Sequence, residues 1–300
     1  MQADPAVLQS ATMLPRALGF LFLTVSLATL TAQQTVPREP FDAAYNEWRD
    51  SMMAKDLSEW KAATAPSRQM EVRNRIISAK GEFPTDLFAS ALQAPQLGQM
   101  TLLEIFVKGP TATAVYFGKA DFGVSEAGEI TDNLVVVNFL EASGAWKFDR
   151  LRVVKFGMDR ETLLQVRSGD FSFLEGSEFQ PSGIVPPTQP PIAKPDRIGE
   201  IWITAIGFEV TATVNRGNHV SQIANDLGKD LIIGGLKAGP DNHIALDIQS
   251  TTVAAGVVPH LEIAIYGAFN GRSPATRVFH YRPDPTQVPE TFLTTFSVNN

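Results

Sequence analysis

A proline-rich run near the middle of the chain limits what the residues on its two sides can build. Six of the fifteen residues in 181–195 are proline: Pro181, Pro186, Pro187, Pro190, Pro191 and Pro195. Proline fixes φ and lacks a backbone N–H, so this density excludes a helix or a central strand. We therefore expect an extended linker at 181–195, with one domain at 33–180 and a second at 196–300.

Upstream of the linker, apolar side chains first recur with a helical period. Five of them fall on one stripe at 100° per residue and predict an amphipathic helix packed on a core: Phe41, Ala44, Tyr45, Trp48 and Met52. The run Asp56-Leu-Ser-Glu59 is the pattern of a capping box and predicts a second helix. Ser67 is expected to cap a third helix that runs through Ile77.

Strands follow these helices. Residues 101–107 and 112–118 are separated by Lys108-Gly109-Pro110, and residues 134–141 and 145–154 by Ser143-Gly144. Both separations are short and rich in turn-forming residues, which predicts two antiparallel hairpins. Helices followed by a strand meander predict an α+β domain in which a curved sheet closes over its helices.

Downstream of the linker the helical period disappears. Phe208, Val210, Ala212 and Val214 alternate with polar neighbours, as in a half-buried strand. Seven short strand-like runs with glycine-containing turns between them predict an all-β sandwich.

The first domain resembles the nuclear transport factor two-like superfamily, which includes the SnoaL-like domains. The residues that carry the resemblance are Phe41-Asp-Ala-Ala-Tyr45, Trp48, Ala54-Lys-Asp-Leu-Ser-Glu-Trp60, Leu134-Val-Val-Val-Asn-Phe139 and Trp146-Lys-Phe148. The resemblance implies a cone-shaped α+β fold with a pocket between helices and sheet.

The second domain contains the pattern Gly235-Leu-Lys-Ala-Gly239 followed by Asn242-His-Ile-Ala-Leu-Asp-Ile248. This turn and strand resemble those of the immunoglobulin-like and jelly-roll accessory domains of bacterial envelope proteins.

The N-terminus has the pattern of an export signal. An uncharged run at 17–31 follows Arg16, and small residues allow cleavage after Ala28 or Ala32. The run is shorter than the ~20 residues that cross a bilayer, so we expect a signal peptide at 1–32, with translation starting at Met1 or Met13. An uncleaved N-terminal anchor is the alternative, and no span is expected in the mature chain.

Composition narrows the functional classes. The chain has no cysteine and a net charge of −7, and no segment is basic. Disulfides and thiolate chemistry are excluded, and nucleic acid is disfavoured as a partner. A secreted or periplasmic bacterial protein is the natural interpretation.

Four aromatic residues are candidate ligand-binding residues. Tyr45 and Trp48 lie on the first helical stripe, Tyr116 lies on a predicted strand, and Trp202 lies between two buried isoleucines if the alternation holds. Tyr45 is either a hydrogen-bond donor in a pocket or a core aromatic. Tyr116, Asp121, Asp132 and Glu104 are its possible partners if the strand register turns them inward. Trp202 is either a sugar-stacking platform or a packing residue.

Catalytic and metal-binding signatures are absent from the sequence. The histidines His219, His243, His260 and His280 do not have metal-ligand spacing, and no phosphate-binding loop or nucleophile elbow occurs. The side-chain oxygens in the loops at 225–230 and 241–242 are possible ligands of a structural Ca²⁺ ion, but they do not have the spacing of an EF-hand. No cofactor, metal site or catalytic residue is predicted.

These observations favour an exported, non-catalytic binding or interaction protein of the bacterial cell envelope. Its partner would be an envelope protein or a small apolar ligand. Two alternatives stay open. One is an enzyme or carrier that acts on a small apolar molecule in the N-terminal pocket, and the other is carbohydrate binding by the C-terminal sandwich.

Overall fold

The computed structural model describes residues 36–89, 93–122, 132–156, 160–215, 217 and 219–299. Residues Val36–Asn300 form one compact unit. The expected signal peptide at 1–32 lies outside the described residues, and the division into domains at 33–180 and 196–300 stays a prediction. None of the described helices is long and apolar enough to cross a membrane.

The described residues of the N-terminal half form four α-helices: α1 (Glu39–Ala54), α2 (Leu57–Ala63), α3 (Pro66–Ser78) and α4 (Arg160–Ser168). The predicted cap of α2 is confirmed, because the Asp56 Oδ1 atom accepts hydrogen bonds from the backbone N–H groups of Ser58 (2.8 Å) and Glu59 (3.1 Å). These bonds satisfy two of the donors that a helix N-terminus leaves free.

The predicted cap of α3 is wrong. The helix begins at Pro66, whose fixed φ suits the first helical position, and Ala65 occupies the N-cap without a side-chain bond. Ser67 is therefore inside the first turn. Its Oγ atom is buried and has no hydrogen-bond partner among the described residues.

The first sheet is an antiparallel meander of β1 (Thr101–Lys108), β2 (Thr111–Lys119), β3 (Asp132–Ala142) and β4 (Ala145–Lys155), in that order. Both predicted hairpins are confirmed. At the second turn Ser143 and Gly144 have φ values of 54° and 76°, the left-handed pair that a two-residue hairpin requires.

Both faces of this sheet are covered. One face packs against Phe41, Ala44 and Tyr45 of α1. The opposite face packs against Val166 of α4 and Leu174 of the 3₁₀ helix Ser172–Glu175. The central strands β2 and β3 are accordingly buried on successive residues rather than on alternate ones.

The nuclear transport factor two-like resemblance is therefore corrected, and a cone-shaped domain is not confirmed. The expected architecture has one core, between the helices and a curved sheet, whereas this sheet separates two cores. The protein is rich in strands, with three four-stranded antiparallel sheets and few helices.

The described part of the C-terminal half forms eight strands rather than seven: β5 (Ile198–Ile206), β6 (Phe208–Val214), β7 (His219–Ala224), β8 (Leu227–Leu231), β9 (Gly239–Ser250), β10 (His260–Ala268), β11 (Thr276–Tyr281) and β12 (Thr291–Val298). They form two antiparallel sheets, with the orders β11-β10-β5-β8 and β12-β9-β6-β7. Residues of both sheets share one hydrophobic core. The predicted alternation of β6 is confirmed.

The pattern that suggested immunoglobulin-like or jelly-roll accessory domains reflects contacts within this chain, and that resemblance is also corrected. A Cβ atom at Gly235, where φ is +58°, would lie 2.5 Å from the carbonyl oxygen of Arg197. The buried Asn242 amide closes the following loop, since it bonds both the N–H and the carbonyl of Lys237 at 2.9 Å. Local packing therefore explains the glycine and the asparagine.

The proline-rich segment 181–195 has no helix or strand, as predicted, but it is fixed to α3. The fully buried Asn74 donates from Nδ2 to the carbonyl of Pro190 (2.9 Å), and its Oδ1 atom accepts the N–H of Ile192 (3.2 Å). One side chain thus supplies the hydrogen bonds that neighbouring prolines cannot supply to one another.

Replacing Asn74 with alanine should release this segment. Loss of the amide leaves the Pro190 carbonyl and the Ile192 N–H without partners, which should lower the free energy of unfolding by about 1–3 kcal/mol. Urea unfolding measures this change, and trypsin should then cut faster after Arg197. The exposed Asn46→Ala on α1 is the control. Equal stability and equal cleavage rates in the two variants would contradict the assignment.

Candidate functional site

Tyr45 lies in the core beneath α1. Its side chain is fully buried, and its hydroxyl donates to the carbonyl oxygen of Pro95 at 2.9 Å. Burial raises the pKa of Tyr45 far above its ordinary value, against a smaller opposing effect of Arg49. The hydroxyl is therefore protonated and engaged at neutral pH.

Tyr116 is buried beside it and donates to the Oδ1 atom of Asp42 at 2.8 Å. Burial and this hydrogen bond raise the pKa of Tyr116. Asp42 also accepts a bond from Arg38 at 2.6 Å. Asp42 was not predicted as the partner of Tyr116, although its place in the acidic first turn of α1 is visible in the sequence.

Two of the carboxylates considered as partners for Tyr45 are engaged elsewhere. Asp132 pairs with Arg167 at 2.9 Å, and Glu104 accepts the neighbouring N–H of Ile105. Neither of these two carboxylates is therefore positioned as an acid or base partner of Tyr45.

Aromatic rings fill the space between α1 and the sheet. Phe41 meets Phe139 edge to face with ring centroids 5.3 Å apart, and Trp48 stacks on Phe148 at 3.7 Å. These rings pack where the resemblance implied a pocket, and a space of about 210 Å³ remains beside Trp48 and Phe148.

An open groove of about 450 Å³ lies instead at the side of α1. Most of its wall is apolar: Trp48, Met52, Met53, Phe88, Phe122 and Leu151. Lys55 is the one charged residue among the described lining residues. Of the four predicted ligand-binding residues, Trp48 alone lines this groove.

Trp202 lies apart from the other three, on the outer face of the sheet β11-β10-β5-β8. Its side chain is 46% exposed, whereas Ile201 and Ile203 are buried, as the alternation predicted. The indole ring contacts Tyr266 at 5.4 Å, and the Lys229 Nζ atom lies 5.5 Å from the ring centroid.

Polar side chains continue along the same face. Glu262 contacts His280 at 3.0 Å and His260 at 3.3 Å. The hydrogen bond from His280 lowers the pKa of Glu262, with burial as a smaller opposing effect. Within the described ranges, no group of three His, Cys, Asp or Glu side chains has an arrangement that could hold a metal ion.

Tyr45→Phe tests whether the Tyr45 hydroxyl is structural. Removing it strands the Pro95 carbonyl and should lower the free energy of unfolding by about 1 kcal/mol, and by up to 3 kcal/mol if that carbonyl finds no water. Tyr45→Ala should cost about 3–5 kcal/mol. Thermal or urea unfolding measures both changes.

Tyr281→Phe is the matched control, because the half-buried Tyr281 hydroxyl has no hydrogen bond to the described part of the chain. A fully stable Tyr45→Phe protein that has lost a ligand bound by the parent would assign the hydroxyl to binding instead.

Comparison with known proteins adds no relative. No family model, no curated protein and no solved structure matches this chain. The two resemblances inferred from the sequence therefore have no support from relatives, and the function is argued from geometry.

Proposed function

We propose that the protein is an exported, non-catalytic binding protein of the bacterial cell envelope, and that it holds a small apolar molecule with an anionic group in the groove beside α1. The observation that carries the proposal is the groove itself, with its aromatic and thioether lining and its volume of about 450 Å³.

The lining favours an apolar ligand. Pockets for small molecules commonly have volumes of roughly 300–1,000 Å³ and mainly apolar walls, and this groove fits that description. Met52 and Met53 are unbranched and polarizable, so they adapt to flexible chains. Met53 is 55% exposed, so covering it removes apolar surface from water, worth roughly 25 cal/mol per Å².

Lys55 favours an anionic head group. It ends α1 with a left-handed φ of 55°, and no ion pair engages it among the described residues. An ammonium at the edge of an apolar groove pairs with a carboxylate while the alkyl chain lies along the wall. A fatty acid has both parts.

Binding without catalysis is the better-supported activity. The Tyr45 and Tyr116 hydroxyls are both committed to hydrogen bonds within the fold. Acid–base chemistry needs groups positioned beside the reacting atoms, and the groove offers Lys55 alone among its described lining. A carrier of a small apolar molecule is compatible with this geometry, and an enzyme has less support.

Export rests on the sequence. The apolar run at 17–31 after Arg16 and the small residues Ala28 and Ala32 support a signal peptide. The absence of cysteine suits a bacterial envelope protein. An envelope protein partner is the alternative occupant of the apolar surface.

Dodecanoate binding tests the groove. Isothermal titration should give one site for the parent protein and an affinity at least about tenfold lower for Met53→Glu, which places a like charge beside the bound carboxylate. Lys55→Glu should weaken binding in the same direction. Leu164→Glu is the control, since Leu164 is a 65% exposed apolar residue on α4. Absence of saturable binding by the parent, or equal loss in the control, would contradict the proposal.

Carbohydrate binding is a second candidate, favoured by the exposure of Trp202. A half-exposed indole offers a flat apolar platform for a sugar ring, and Glu262, His260 and His280 supply polar groups on the same face. Such a site would be separate from the groove.

Trp202→Ala should weaken binding of a soluble cello- or xylo-oligosaccharide by at least about tenfold, as measured by titration. Leu293→Ala is the control, because Leu293 is 75% exposed on the other sheet. If the parent protein binds none of these oligosaccharides, the proposal that Trp202 is a sugar-binding platform is wrong, and the groove proposal is unaffected.

A further inference from the structure

A polar cleft of about 320 Å³ lies between the two halves of the folded unit. One wall comes from α3 and β4, with Ser67, Glu71 and Asp149. The facing wall comes from the hairpin of β7 and β8, with His219 and Asp230, and Pro186 of the linker closes one side.

Asp149 differs from the other carboxylates of this cleft. It is half-buried and has no hydrogen bond or ion pair with any described residue. Burial raises the pKa of Asp149, Arg150 and Arg68 lower it in part, and Glu71 raises it further.

The neighbouring carboxylates are paired. Glu71 contacts Arg68 at 3.0 Å and Arg150 at 3.2 Å. Burial opposes ionisation of Glu71, but the nearby arginines together hold its pKa below its usual value. Asp230 contacts Arg75 at 3.2 Å.

Ser67 supplies a second unpartnered group in the same cleft. Its Oγ atom is buried and makes no hydrogen bond to the described residues. Buried polar atoms are nearly always satisfied by protein, water or ligand. A partner from outside the chain would satisfy both Ser67 and Asp149.

The described residues of the facing wall add no positive charge to balance Asp149. His219 is buried, and its Nε2 atom lies 2.7 Å from the Ser221 hydroxyl. Burial lowers the pKa of His219, which outweighs the opposite effect of Asp230. His219 is therefore neutral at pH 7, and among the described lining residues the carboxylates Glu71, Asp149 and Asp230 outnumber the arginines Arg75 and Arg150.

We propose that this cleft binds a small molecule with a protonated amine, whose ammonium group pairs with the Asp149 carboxylate while a polar group of the molecule bonds to the Ser67 hydroxyl. An ammonium brings the positive charge and the N–H donors that a half-buried carboxylate lacks. An anion is a poor occupant, because it would face Asp149 while Arg75 and Arg150 already have partners.

Binding should depend on pH. The amine pairs with the ionised form of Asp149, so its affinity rises as the pH rises through the elevated pKa of that residue and then levels off. Glu71, Arg68, Arg75, Arg150, His219 and Asp230 surround the site. His219 titrates below its ordinary range, and its protonation at acid pH would weaken cation binding in the same direction.

Isothermal titration with 1,4-diaminobutane tests the proposal, and butane-1,4-diol is the uncharged control. The parent protein should bind one diamine and no diol. Asp149→Asn should lower the affinity at least about tenfold and reduce the pH dependence to the part that His219 contributes, and Ser67→Ala should lower the affinity severalfold. Glu47→Gln, which removes an exposed carboxylate from α1, should bind like the parent.

Stability and dodecanoate binding separate this site from misfolding and from the groove. Asp149→Asn removes an unpaired, half-buried charge and should unfold at the same temperature as the parent or higher, with dodecanoate binding unchanged. The proposal is overturned if the parent binds no diamine, if the diol binds equally well, or if Asp149→Asn and Glu47→Gln bind alike.

Discussion

The folded unit depends on how one buried amide on α3 holds the segment that joins its two halves. Prolines at 186–191 cannot pair with a strand, because they lack donors. Asn74 supplies one donor and one acceptor to the backbone at Pro190 and Ile192. With the segment fixed there, α3 also reaches the second half, where the Gly234 N–H donates to the Ser78 hydroxyl at 2.9 Å and Arg75 pairs with Asp230.

The same arrangement explains why the candidate sites lie at the edges of the helical layer. Phe41, Phe139 and the stacked pair of Trp48 and Phe148 pack in the space between α1 and the sheet. Open space remains at the apolar side of α1 and at the polar junction beside α3. A close-packed centre with irregular edges is ordinary for a protein interior, and here the two edges differ in chemistry.

Patterns within one element were predictable from the sequence, and contacts between distant elements were not. The hairpins, the Asp56 cap and the alternation around Trp202 each depend on a few neighbouring residues. Three other features join residues that lie far apart in the chain. They are the packing of α4 on the second face of the sheet, the hydrogen bonds between Asn74 and the linker, and the surroundings of Asp149. Nothing in the sequence near Asn74 distinguishes it from an ordinary surface asparagine of a helix.

In the cleft beside α3, burial shifts the pKa values of two titratable groups in opposite directions. Burial lowers the pKa of His219 in the folded state, so its stabilising contribution is present above its unfolded pKa and is lost as the pH falls. Burial raises the pKa of Asp149, so its contribution is present at low pH and is lost as the pH rises. At neutral pH His219 is in the uncharged form that burial favours, whereas the Asp149 carboxylate has no ion-pair partner among the described residues. A bound ammonium ion removes this conflict, because it pairs with the ionised carboxylate and leaves the neutral imidazole unchanged.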